Sequence, residues 1–185
     1  HTLANHLFSA MGSNKIMQLY PGDRWLLSLP LFHVGGIAIF FRSLISGASI
    51  VIPSKNISLV QNIEKNQITH ISLVPTQFHR LLKTSKGRKS LHNLKLILLG
   101  GSAIPESLLE HSSKLGLKIL TTYGSTEMAS QVATSCPLKT RNGWLSAGQV
   151  LPFRDVRISH ENQIELRGKT LFCGYLSESG LNQPF

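Results

Sequence analysis

The chain has 185 residues, 42% of them hydrophobic, which is enough for one domain with a sizeable core. Lys and Arg number 19 against 9 Asp and Glu, a net charge of +10, yet the positive residues are scattered and aromatics make up only 7%, which argues against a nucleic-acid-binding stripe. The apolar stretch over residues 25–52 is broken by Pro30, His33 and Arg42, short of the ~20 apolar residues of a membrane span, and the isolated Cys136 and Cys173 fit no disulfide framework or zinc site.

In chain order, Leu3, Leu7, Ala10 and Met11 recur at helical intervals, so His1 to Leu19 is predicted as a helix. Pro21-Gly22-Asp23 makes a turn, and Trp25 to Leu29 a strand. Gly35 to Ser46 reads as a helix buried on most faces, with Gly47 as its C-cap. Ser49 to Ile52 is a strand. Asn56 to Asn66 is a helix with Ile57, Val60 and Ile63 on one face. Thr69 to Val74 is a strand ended by Pro75, and Thr76 to Thr84 a helix. The basic cluster Lys83, Lys86, Arg88 and Lys89 reads as a solvated loop. Lys95 to Leu99 is a near-continuous apolar strand, as expected inside a parallel sheet covered on both faces. Pro105 suits the first turn of a helix running to Gly116, and Leu117 to Tyr123 is the next strand.

This alternation argues for an α/β fold, a parallel sheet flanked by helices. After about Gly143 the texture changes: 156–158, 163–166 and 170–172 are short strand-like runs. The expected division is an α/β unit over 1–143 and a small β-rich, partial-barrel segment over 144–185.

Four apolar runs lead at once into Gly, Pro or small polar residues. Leu26 to Leu29 enters Pro30-Leu31-Phe32-His33-Val34-Gly35-Gly36. Ile71 to Val74 enters Pro75-Thr76-Gln77. Leu96 to Leu99 enters Gly100-Gly101-Ser102-Ala103. Leu120 to Thr122 enters Tyr123-Gly124-Ser125-Thr126-Glu127. In an open parallel sheet, ligands bind beyond the carboxyl ends of the strands, so the four loops should converge on one site. The last offers a hydroxyl and a carboxylate together, which suits a Mg²⁺–nucleotide: Mg²⁺ takes one or two carboxylates plus phosphate oxygens. The alternatives are structural. Glu127 could favour a helix N-terminus, Thr126 could cap that helix, and the Gly100–Ala103 string could be only a tight strand-to-helix turn.

Tyr-Gly-x-Thr-Glu, Gly-Gly-Ser-Ala and Pro-Leu-Phe-His-x-x-Gly occur here in an order that resembles the acyl-adenylate-forming superfamily of acyl-CoA synthetases. Within it the sequence is most similar to the o-succinylbenzoate–CoA ligase family of menaquinone biosynthesis. Asn5-His6, the run Ser9 to Ser13, Ser130-Gln131, Ser146 to Gln149, Glu165-Leu166-x-Gly168 and Gly174-Tyr175 add to the likeness.

The resemblance implies ATP, Mg²⁺ and coenzyme A, an aromatic carboxylate substrate and a cytoplasmic enzyme. Glu127 would hold Mg²⁺ and Thr126 a phosphate oxygen. Tyr123 would lie against the adenine, with Gly100, Gly101, Ser102, Ala103, Thr122, Gly124 and Ser125 around the nucleotide. His33 would gate the acyl pocket or bond the reacting carboxylate. Gly35, Thr76, Gln77, Ser102, Gly124 and Met128 would also face the acid. For Thr76 and Gln77, capping the next helix is the equal alternative.

The family's Lys-Gly phosphate loop, ribose-binding Thr-Gly-Asp and C-terminal lid with its Lys have no match in these residues. The expectation is therefore an incomplete and inactive section of the enzyme. A non-catalytic nucleotide- or acyl-adenylate-binding module is the second reading. Homo-oligomerisation is left open.

Overall fold

The computed structural model describes residues 1–135, 146–178 and 180–182. Its elements are, in order, α1 (Leu3–Met17), β1 (Arg24–Leu26), α2 (Val34–Ser46), β2 (Ser49–Val51), α3 (Leu59–Lys65), β3 (His70–Leu73), α4 (Pro75–Leu82), α5 (Ser85–His92), β4 (Leu96–Leu99), α6 (Glu106–Lys114), β5 (Ile119–Ser125), β6 (Ser130–Thr134), β7 (Gln149–Val150), β8 (Arg154–Ile158), β9 (Ile164–Gly168), β10 (Tyr175–Ser177) and β11 (Gly180–Asn182).

Strands β1 to β7 form one sheet in the order β2-β1-β3-β4-β5-β6-β7. The first five run parallel; β6 and β7 return antiparallel. Successive strand residues point to opposite faces, and the core divides accordingly. Leu26, Ile71, Leu73, Ile97, Leu99 and Ile119 join α3 to α6 through Ile63, Phe78, Leu81, Leu91 and Leu109. Trp25, Leu98 and Leu120 face the other way, onto Met17 of α1 and Ile39 of α2. Helices therefore cover both sides of the sheet, the arrangement that near-continuous apolar strands require.

Local chemistry starts and stops these elements. Thr2 and Asn5 form a reciprocal capping box at α1, and Ser58 and Gln61 form another at α3. Gly47 ends α2 at φ +69.

Four differences from the sequence reading have physical causes. The basic 83–89 stretch is not a loop: α5 runs through it. The Thr84 hydroxyl caps the helix by accepting from Gly87 N at 3.0 Å, and Ser90 and Leu91 are buried while Lys86 and Lys89 stay in solvent. Strand β5 continues through Tyr123 to Ser125, because β6 folds back beside it and satisfies its backbone. Glu127 is in a β-turn between these strands, so Thr126 caps no helix and Glu127 faces no helix N-terminus. Residues 170–172 form no strand; Thr170 and Phe172 are buried in the connection that follows β9. Two antiparallel pairs, β8–β9 and β10–β11, make up the β-rich end. The 143/144 boundary and Cys136 lie outside the described residues, and β7 belongs to the main sheet.

Candidate active site

The ends of β1, β3, β4 and β5 open on a common cavity of about 470 Å³. Pro30, His33 and Gly35 line it from the first loop, Val74 from the second, Gly100 and Gly101 from the third, and Gly124, Ser125 and Thr126 from the fourth. Parallel strands with adjacent carboxyl ends bring these loops together although the sequence separates them by up to about ninety residues.

Close backbone approach shapes this cavity. Gly101 has φ +89, a region that L side chains rarely adopt. A Cβ on Gly124 would lie 2.1 Å from the Ser130 carbonyl oxygen, so β5 and β6 meet here only through glycine. The strand register shifts between Tyr123 and Gly124 at the same place.

A second cavity, about 420 Å³, lies beside the first, with Gly101, Thr122 and Gly124 lining both. Ser102, Ala103, Tyr123, Ser146 and Ala147 complete much of its wall. Tyr123 is the one aromatic among the described residues of its lining, which otherwise hold small and aliphatic side chains. A third, about 820 Å³, lies between α4 and α6 and contains Thr76.

The predicted residues do not all meet. His33, at the start of α2, is exposed, stands 4.6 Å from the Phe32 ring and faces the first cavity. Thr122 lines both smaller cavities, but its hydroxyl donates to Ala133 O at 2.8 Å. Gln77 lines none of the three: its Oε1 accepts from Val74 N at 3.1 Å, so it caps α4. Met128 is fully buried and lines none of the three either.

Glu127 is half-buried, and its Oε1 accepts from the Tyr175 hydroxyl at 2.5 Å. That bond, then the residue's own amide and the Ser125 side chain, hold its carboxyl below the usual range, against an opposing effect of burial. The carboxylate is therefore anionic at neutral pH.

Sequence reasoning missed Arg42. Its side chain is 1% exposed in the middle of α2 and lines the first cavity. Nη2 donates to Ser130 Oγ at 3.3 Å, and the guanidinium lies 5.6 Å from the Trp25 ring centre. Burial, and then the nearby Arg154, push its pKa down to about 9. It stays charged at pH 7, without an acidic partner among the described ion pairs. Its signal in the sequence was a lone cation in an otherwise apolar helix, which is rare unless a partner supplies charge.

Three buried polar atoms of residues lining this cavity have no hydrogen-bond partner among the described residues: Arg42 Nε, Ser72 Oγ and Gln131 Oε1. Such atoms are few in folded proteins, and those lining this cavity, donors and an acceptor together, suit a polar ligand. No group of three or more His, Cys, Asp or Glu among the described residues could hold a metal by itself. No helix among them is long and apolar enough to cross a membrane.

Comparison with known proteins agrees with this geometry. The chain is 40% identical over 183 residues to the 2-succinylbenzoate–CoA ligase of Salmonella typhimurium, covering 98% of this chain and 37% of that protein. It is 40% identical over 177 residues to the Escherichia coli enzyme of the same name, covering 95% and 36%. The chain thus spans less than two fifths of these relatives. Among solved structures, E. coli MenE bound to an OSB-AMS analogue superposes with TM-score 0.86 at 38% identity, over 99% of this chain and 39% of that one. Bacillus subtilis MenE in complex with ATP and magnesium ion gives 0.85 at 30% identity, over 96% and 39%. The sequence profile of the AMP-binding enzyme family matches residues 1–176, and the chain belongs to that family.

Proposed function

We propose that this chain is the nucleotide- and acid-binding part of an ATP-dependent acid–CoA ligase acting on an aromatic dicarboxylate, 2-succinylbenzoate. The observation that carries this reading is the buried, unpaired Arg42 at the wall of the cavity where the Gly100 and Thr126 loops meet. Arg42 lines the first cavity and not the second, where the adenine is placed, so it meets an anion away from the purine. A second carboxylate on the substrate is that anion.

In the first step, the reacting carboxylate oxygen attacks the α-phosphorus of ATP. A P–O bond forms, the bond to the β-phosphate breaks, and pyrophosphate leaves. In the second step, the coenzyme A thiolate attacks the acyl carbonyl; a C–S bond forms, the acyl C–O bond breaks, and AMP leaves.

The residues divide the work. Arg42 anchors the distant carboxylate, which sets the depth of the acid. His33, at the same cavity, lies near the reacting end and can donate a hydrogen bond to it. Tyr123 lies along the adenine in the second cavity. The Gly101 and Gly124 backbones, shared by both cavities, let acyl group and phosphate come close. The Thr126 and Ser125 hydroxyls, both lining the first cavity, donate to phosphate oxygens.

One carboxylate beside two hydroxyls fits Mg²⁺, which completes its shell with phosphate oxygens and water. Glu127 would hold the ion, which would supply charge neutralisation at the phosphates. The site works by charge placement: it brings an anion onto a polyanion within a preorganised polar wall.

The test is pyrophosphate release by the full native protein carrying this segment, with ATP, Mg²⁺ and 2-succinylbenzoate. Release that depends on the acid, with thioester following when coenzyme A is added, is the expected result. Absence of acid-dependent release overturns the assignment.

A further inference from the structure

The turn that carries Glu127 is held from outside its own hairpin. Ala129 and Ser130 sit at φ +50 and +103, a conformation that neither residue favours by itself. On one side, the Ser9 hydroxyl donates to Ala129 O at 2.7 Å, and Arg154 Nη2 donates to that hydroxyl at 2.9 Å. On the other side lies the connection from β9 to β10. Asn5 Nδ2 donates to Lys169 O at 3.0 Å and to Leu171 O at 2.9 Å, which fixes where the connection starts. Phe172 N then donates to Glu127 O at 2.7 Å. The Phe172 ring meets the Tyr175 ring edge-on at 4.7 Å and aims it, and the Tyr175 hydroxyl donates to Glu127 Oε1.

The connection and the first residue of β10 thus hold the backbone and the side chain of Glu127. We propose that Tyr175 is a positioning residue for the Glu127 carboxylate, holding it in one orientation before the divalent cation and its nucleotide arrive. The inference rests on the reading of Glu127 as the Mg²⁺ ligand.

The physical reason is preorganisation. A free glutamate side chain samples several rotamers, and fixing it costs conformational entropy. A hydroxyl already bonded to one carboxylate oxygen removes part of that cost before the cation binds. Outer partners that orient metal ligands typically contribute 10- to 100-fold in metal affinity. Tyr175 is 56% exposed, so its hydroxyl contributes little to the core. Its place in β10, paired with Asn182 of β11, ties the β-rich end of the chain to the turn that carries Glu127.

The test is Mn²⁺ binding in the presence of ATP, read as the free-Mn²⁺ paramagnetic resonance signal. It uses the full native protein carrying this segment and compares wild type, Tyr175→Phe, Glu127→Gln and the double variant. Tyr175→Phe keeps the ring against Phe172 and removes only the hydroxyl. The expected result is about 10-fold weaker Mn²⁺ binding for Tyr175→Phe, at least as large a loss for Glu127→Gln, and no further loss in the double variant. Equal Mn²⁺ affinity for wild type and Tyr175→Phe, with Glu127→Gln impaired, overturns this inference and leaves the metal assignment intact. An additional loss in the double variant, as large as in the wild-type background, also overturns it, because Tyr175 would then act on structure and not through Glu127. Unchanged binding in Glu127→Gln overturns the metal assignment and this inference together.

Discussion

The Arg42 guanidinium, buried in α2, donates to the hydroxyl of Ser130, the residue at φ +103 where β6 begins. One bond of 3.3 Å therefore joins a helix on the sheet's face to the turn that carries Glu127. Arg42 both supports that turn and offers its remaining donors to the cavity.

Replacing Arg42 tests the second role. Arg42→Lys shortens the side chain and loses the planar fork that grips a carboxylate. A charge-assisted hydrogen bond is worth ~1.5–3 kcal/mol, so KM for the diacid should rise about 10- to 150-fold. A monocarboxylate analogue without the second acid group should be nearly unaffected. Equal losses with both acids would assign Arg42 to the turn alone.

Gly124→Ala should damage stability as well as activity. The new Cβ would stand 2.1 Å from Ser130 O and 3.1 Å from Gln131 Cα, and both are backbone atoms that cannot rotate away. Overpacking of this kind costs ~1–3 kcal/mol. Urea denaturation should show a lower midpoint with an unchanged slope. A midpoint equal to wild type would mean that the β5–β6 contact is looser than the geometry implies.

Stability should fall as the solution is acidified below the ordinary histidine range. His70 is buried, its Nδ1 lies 2.8 Å from Thr69 Oγ1, and burial pushes its pKa down despite the opposing pull of Asp23. His6 is shifted the same way by burial. For such a group the unfolded chain takes up the proton first. The stabilisation is complete above the unfolded pKa of ~6.5 and is lost progressively as pH falls towards the folded value. Denaturation midpoints from pH 7.5 to about 5 should slope downward, and His70→Gln should flatten part of that slope. An identical slope in the variant would remove His70 from the account.

The cap at α5 offers a local test. Thr84→Ala removes the hydroxyl that accepts from Gly87 N, and lost caps cost ~0.5–2 kcal/mol. Amide exchange should quicken first over residues 85–90. Uniform acceleration across the whole chain, with none specific to α5, would show that the helix is held only by the burial of Ser90 and Leu91.

The alternation of strands and helices, and the loops after β1, β3, β4 and β5, were legible in the sequence. Those signals are local: apolar runs, and Gly, Pro or hydroxyl residues at fixed offsets. The polarity of residues 83–89 concealed α5, because burial of Ser90 and Leu91 outweighs a run of lysines when the helix packs against its neighbours. Gln77 was equally open to two readings, and its bond to Val74 N decided for the cap. Arg42 could be seen only as a lone charge in an apolar helix. That it borders the same cavity as Gly100 and Thr126 follows from the β2-β1-β3-β4-β5-β6-β7 order and the antiparallel return of β6. The pairing of Tyr175 with Glu127, 48 residues apart, likewise depends on a connection pinned by Asn5 and Phe172. Short-range patterning selects helix, strand and turn because backbone preference and periodic burial act over a few residues. Which side chains then share one cavity is set by long-range packing, and no local pattern encodes it.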